Sequence, residues 1–101
     1  MTENESAKVI VECLWLDKFV DKIIKKHNVS LEEVEEVFSM DPTIRRLEGG
    51  HVKGEDLFVT FGRTDSGRYL CVLFVRKKGK RALVISARDM TKGERKKYGK
   101  K

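Results

Sequence analysis

LFVTFGRTDSGRYLCVLFVRKKGKRALVISAR, residues 57–88, reads as three strands and two tight turns. Leu57 to Arg63, Arg68 to Arg76 and Arg81 to Arg88 are rich in β-branched and aromatic residues. Thr64-Asp65-Ser66-Gly67 and Lys77-Lys78-Gly79-Lys80 interrupt them with turn residues. Strands joined by such short loops run antiparallel. The stretch therefore predicts an antiparallel meander, and the rest of the chain is read around it.

Upstream, Val9 to Leu16 is largely apolar and predicts a first strand buried on both faces. Asp17 is the expected cap of a helix in which Leu16, Phe19, Val20, Ile23, Ile24 and His27 share one face. Asn28 tolerates left-handed backbone and is expected to end it. Ser30 with Glu33 forms a capping box for a second helix. Leu31, Val34, Val37 and Phe38 make its apolar stripe, and Asp41-Pro42 stops it. Thr43 to Glu48 predicts a short strand, and Gly49-Gly50 and Gly54 break the chain before the meander. Beyond it, Thr91 with Glu94 opens a short helix that Gly99 ends. The expected fold is α+β, one domain over residues 1–101, with 1–7 and 99–101 frayed.

Charge is unevenly spread. Residues 76–101 hold twelve of the 22 Lys and Arg residues but only two acids, Asp89 and Glu94. That end carries a surplus of ten positive charges in a chain whose net charge is +6, so a polyanion, nucleic acid first among them, is the expected partner. Cys13 and Cys71 lie in apolar runs without metal-ligand spacing and read as buried reduced thiols. No stretch approaches the roughly 20 apolar residues of a membrane span. The acidic N-terminus does not resemble a secretory signal, so a cytoplasmic location is expected. There is no P-loop, dinucleotide fingerprint or nucleophile elbow, and no metal site or cofactor is expected.

Strict alternation places Ala82, Val84, Ser86 and Arg88 on one face of the last strand. In a meander the end of one strand lies beside the start of the next. Arg63, Arg68 and Arg88 should therefore gather at one edge, beside the N-terminus of the helix opened by Thr91. Guanidiniums around free backbone N–H groups make a plausible phosphate site. The bland alternative is that these arginines are strand-end groups paired with Asp65, Asp89 or Glu55. Arg76 and Arg81 fall at the opposite edge. His51 reads as an exposed turn residue, and Trp15 as core. Tyr98 either stacks on a base or packs back onto the sheet.

In order and spacing, several motifs resemble the BrnT family of toxins. They are Trp15-Leu16-Asp17, Lys26 to Val34, Val37-Phe38, Asp41-Pro42, Gly54-Glu55-Asp56, Gly62 to Arg68, Ile85 to Arg88, Glu94-Arg95 and Tyr98. The resemblance covers about residues 12–98. It departs at Asn28, where the family usually has Gly, and in a longer N-terminus. It implies a RelE-like fold and a type II toxin that cleaves RNA without a metal, inhibiting translation. It also implies a BrnA-like ribbon-helix-helix antitoxin that neutralises the toxin and through which it oligomerises. On this reading Arg63 and Arg88, with Arg76 as a third candidate, stabilise the charged phosphate, and His27 is the candidate acid–base group. Arg68, Thr91, Lys92, Arg95, Lys96, Lys97 and Tyr98 would hold RNA. A non-catalytic nucleic-acid-binding protein of the same fold is the alternative.

Overall fold

The computed structural model describes residues 10–40, 42–48 and 56–99. The expectations for residues 1–7, 100 and 101, for the Gly49-Gly50 and Gly54 breaks, for Glu55 and for His51 lie outside these residues. The elements are β1 (Glu12–Leu14), α1 (Asp17–His27), α2 (Leu31–Ser39), β2 (Thr43–Glu48), β3 (Leu57–Arg63), β4 (Tyr69–Lys77), β5 (Arg81–Asp89) and α3 (Lys92–Gly99). One five-stranded sheet has the order β1-β5-β4-β3-β2. β2 to β5 form the antiparallel meander, and β1 pairs parallel with β5. The fold is α+β with a mixed sheet.

Local chemistry accounts for most boundaries. Ser30 Oγ accepts from the Glu33 amide at 3.1 Å, and Glu33 Oε1 accepts from the Ser30 amide at 3.0 Å. Asn28 sits at φ 54°, ψ 42°, and its amide bonds back to Ile24 O, ending α1 as a left-handed cap. Asp17 does not cap α1. Leu16 occupies the cap position without a side-chain bond, and Asp17 is the first helical residue, an acid at the positive end of the helix. The 64–67 turn closes with Gly67 at φ 93° and with the Thr64 amide bonded to Arg68 O.

The first strand departs from expectation. It is a three-residue edge strand, with Val11 68% exposed and Glu12 exposed, so it is not buried on both faces. Its apolar run reflects a few contacts inward: Ile10, Cys13 and Trp15 are half-buried against the main core. The stripe of α1 is also narrower than its sequence. Ile23 is fully buried, while Leu16 and Ile24 are 44% and 46% exposed.

Two apolar clusters lie on opposite faces of the sheet. α1 and α2 cover the first, where Ile23, Val29, Val34, Val37 and Phe38 meet Phe58, Leu70, Val72, Phe74, Ala82, Val84 and Ala87. Phe74 is fully buried, stacked on Phe58 at 5.6 Å and edge-on to Phe38 at 5.2 Å. Burial of each such side chain contributes about 1.5–3 kcal/mol. α2 approaches β3 so closely that a Cβ on Gly62 would lie 2.8 Å from Val37 Cγ1. The second cluster is smaller: Val59, Cys71 and Met90, with Phe61, Tyr69, Leu73 and Tyr98 around them. Cys13 belongs to the first face and Cys71 to the second, so the sheet separates the two free thiols. Burial pushes both thiols up to about 11.

A bulge reverses part of β5. Leu73 faces Ser86 and Phe74 faces Val84, which leaves Ile85 as an extra residue. Val84 and Ala87 are three apart yet both enter the helix-side cluster, which strict alternation forbids. The consequence falls on Arg88. It stands opposite Cys71, on the second face, and does not share a face with Ala82 and Val84.

Candidate functional site

Register and face now separate the basic residues. Arg63 ends β3 directly opposite Tyr69, which belongs to the second face. Arg88 reaches that same face two residues further along β4, opposite Cys71. α3 docks there through Tyr98, whose ring meets Tyr69 edge-on at 5.9 Å. Arg95 of α3 lies 4.4 Å from the Tyr69 ring centre and Arg63 lies 5.7 Å from it. Arg63 Nη1 also donates to Tyr69 Oη at 3.5 Å. The phenol thus sits between two guanidiniums. The Arg63 hydrogen bond, and then the charges of Arg63 and Arg95, hold it below the usual tyrosine range, because each favours phenolate.

Arg88 is held differently. Its Nη1 and Nη2 donate to Glu94 Oε1 and Oε2 at 2.8 and 3.0 Å, and Nη1 also donates to Asp89 O at 2.9 Å. Glu94 Oε1 accepts from the Thr91 amide at 2.9 Å, and Thr91 Oγ1 accepts from the Glu94 amide at 3.1 Å. The capping box is therefore present, and its carboxylate occupies the anion position expected at the start of α3. Arg88 keeps its Nε–H and one Nη2–H without a partner among the described residues.

The Arg88 hydrogen bonds hold the Glu94 carboxyl down at about 2, against an ordinary value of 4.5. A carboxylate shifted down stabilises the fold fully above its unfolded value, and that stability is lost as pH falls toward the folded one. Glu94→Gln should therefore cost about 1–2 kcal/mol at pH 7. In denaturant titrations the gap from wild type should narrow between pH 4.5 and about 2. A gap unchanged at pH 2 would contradict the pairing.

Arg68 lies at the same end of the strands but on the helix side. Nε and Nη2 donate to Asp89 at 2.7 and 3.2 Å. Nη1 donates to Glu33 Oε1 at 3.1 Å and to Asn28 O at 2.8 Å, and Nη2 also reaches His27 O at 3.3 Å. All five N–H donors of the guanidinium are thereby engaged. The expected gathering of Arg63, Arg68 and Arg88 is thus corrected: the sheet divides them, and Arg68 has the bland role of a paired strand-end group. Arg76 also stands apart. It pairs with Ala82 at the far end, seven residues along β4 from Tyr69, or roughly 23 Å. Its buried Nε has no partner among the described residues.

His27 closes α1 in the helix layer, on the opposite side of the sheet from Tyr69, so it does not join Arg63 and Arg88. Lys92, Arg95, Lys96 and Lys97 lie on α3 beside the arginine face, and all four are exposed. Tyr98 is half-buried and packs back onto the sheet. Tyr69 is not singled out by sequence patterning. Its one local signal is its position directly after Arg68 at the start of a strand, with Arg63 closing the preceding one.

No described helix is long and apolar enough to cross a membrane. No curated relative matches the chain. The solved structure of the Brucella abortus ribonuclease toxin BrnT is similar in fold, with a TM-score of 0.62 at 15% identity. The match covers 81% of this chain and 99% of the Brucella one. The family model for the ribonuclease toxin BrnT of type II toxin–antitoxin systems matches residues 15–94. That span runs from the inward-facing Trp15 through the meander to the carboxylate that grips Arg88, and on it the chain belongs to the BrnT ribonuclease toxin family of type II toxin–antitoxin systems.

Proposed function

We propose that this chain is a metal-independent endoribonuclease that inhibits translation in the cytoplasm and is neutralised by a BrnA-like ribbon-helix-helix antitoxin. Family membership implies an RNA target and an antitoxin. The observation that carries the catalytic reading is the Tyr69 phenol flanked by Arg63 and Arg95, with Arg88 on the same face.

The reaction uses the RNA's own 2′-hydroxyl. Tyr69 as phenolate takes its proton, and the 2′-oxygen bonds to phosphorus. The bond from phosphorus to the 5′-oxygen breaks, and the leaving oxygen takes a proton from water. The products are a 2′,3′-cyclic phosphate and a 5′-hydroxyl. Arg63 and the open side of Arg88 neutralise charge on the pentacoordinate phosphate. Lys92, Lys96 and Lys97 hold the RNA backbone without reading sequence.

Glu94's grip on Arg88 favours one competing reading, a protein that binds RNA through the lysines of α3 without cutting it. Purified chain incubated with RNA separates the two. Cyclic phosphate ends that form equally with and without a chelator are expected, together with their loss on adding the antitoxin. Binding without new ends would leave the binder. Cleavage abolished by the chelator would remove the metal-independent step.

A further inference from the structure

A cavity of about 280 Å³ opens beside the arginine face, between β2, β3 and α3. Thr43, Arg45, Phe61, Glu94, Lys97 and Tyr98 line it, two of them aromatic. Thr43 and Arg45 project to this side because they stand opposite Phe61 and Val59 of the second face. The volume lies just under the roughly 300–1,000 Å³ of drug-sized sites, so it suits one ring system.

Its chemistry selects among parts of a nucleotide. The two aromatic rings suit a base rather than a phosphate. Glu94 Oε2, which accepts from Arg88 Nη2, can also accept from a base N–H through its other lone pair. Phe61 and Tyr98 are both half-buried, leaving ring surface for stacking. Arg45 and Lys97 also line it and are exposed, so they can meet the backbone on either side of an inserted base. Tyr98 links the cavity to the reaction centre, because its ring also meets Tyr69.

We propose that this cavity is a nucleobase subsite, taking one base next to the scissile phosphate of single-stranded RNA. The proposal rests on the ribonuclease reading for its substrate, and its test is separable from that reading. The probe is a fluorescein-labelled RNA tetranucleotide carrying 2′-fluoro at every sugar, which lacks the nucleophile and is not cut. Anisotropy gives its affinity for the full chain, with each base in turn replaced by an abasic sugar.

One abasic position should weaken binding about tenfold, the scale of a single base stacked on an aromatic ring. That position's penalty should shrink to under about threefold in Tyr98→Ala and persist in Tyr98→Phe, which keeps the ring. Arg45→Ala, at an exposed position with little risk to folding, should weaken all the oligomers alike. It should also lower the salt slope by about 0.7. Equal penalties at every position, or a penalty unchanged in Tyr98→Ala, would overturn the subsite. The all-ribose oligomer is assayed for cleavage in parallel. Cleavage with no position-specific penalty overturns the subsite alone. A position-specific, Tyr98-dependent penalty without cleavage supports the subsite and removes the nuclease.

Discussion

Tyr69→Phe should lower RNA cleavage by about 10²–10³-fold while leaving RNA affinity and stability nearly unchanged. Phenylalanine keeps the ring that Arg95 covers and that Tyr98 meets edge-on, and removes only Oη. The pH profile adds a signature that a structural role would not produce. If the phenolate is the base, the rate rises with pH until the phenol has ionised. Arg63 is the main cause that holds this phenol below its ordinary range. Arg63→Ala raises the phenol toward that range, so the rising limb must move to higher pH as the rate falls. A limb that stays in place in Arg63→Ala, or full activity in Tyr69→Phe, would remove Tyr69 from the mechanism.

The two arginines should then behave differently. Arg63 is exposed, and its contacts are to the Tyr69 side chain, so its loss costs rate, on the order of 10²-fold, with little stability. Arg88 also fastens α3 through Glu94, so Arg88→Ala should lower both rate and stability. From sequence alone both variants would be expected to keep an intact fold. The bidentate pair with Glu94 is the reason for separating them.

Elements with local causes are legible in the sequence. The Ser30–Glu33 and Thr91–Glu94 boxes, the Asn28 stop and the 64–67 turn each depend on residues within four positions of one another. The meander follows from its turns. What is not legible depends on a single long-range offset. The Ile85 bulge carries no Gly or Pro to mark it, yet one extra residue moves Arg88 through the sheet to the face of Arg63. Sequence patterning thus brings Arg88 to Arg63 on an alternation that breaks between Val84 and Ser86. Arg68, expected to join them, faces the helices because it precedes Tyr69 by one position. Tyr69 escapes sequence patterning because its value comes from neighbours in β3 and α3, which spacing along one strand does not reveal.

Arg68→Ala should destabilise the protein by about 2–4 kcal/mol, a substantial share of the roughly 5–15 kcal/mol available to a domain. Arg68 joins three elements that are distant in sequence: the α1–α2 turn through His27 O and Asn28 O, α2 through Glu33, and β5 through Asp89. Its side chain is 25% exposed, as is 24% of Glu33, so the pair with Glu33 is largely shielded from water, whereas Asp89 is 63% exposed and contributes less. Truncation leaves the Glu33 carboxylate and two carbonyls to find water in a half-buried seam, which is the costly part. At about 4 °C per kcal/mol, the melting temperature should fall by roughly 8–16 °C. Arg68→Lys keeps the charge but lacks the fork that reaches Glu33, Asp89 and two carbonyls together, so it should recover only a minor part. A double-mutant cycle with Glu33→Gln should give a larger coupling energy than one with Asp89→Asn, in the order of their burial. RNA affinity, measured well below the lowered melting temperature, should stay within about twofold of wild type, because the guanidinium lies across the sheet from the Tyr69 face and loses at most one distant charge. A large loss of RNA affinity with unchanged melting would return Arg68 to the RNA-holding surface.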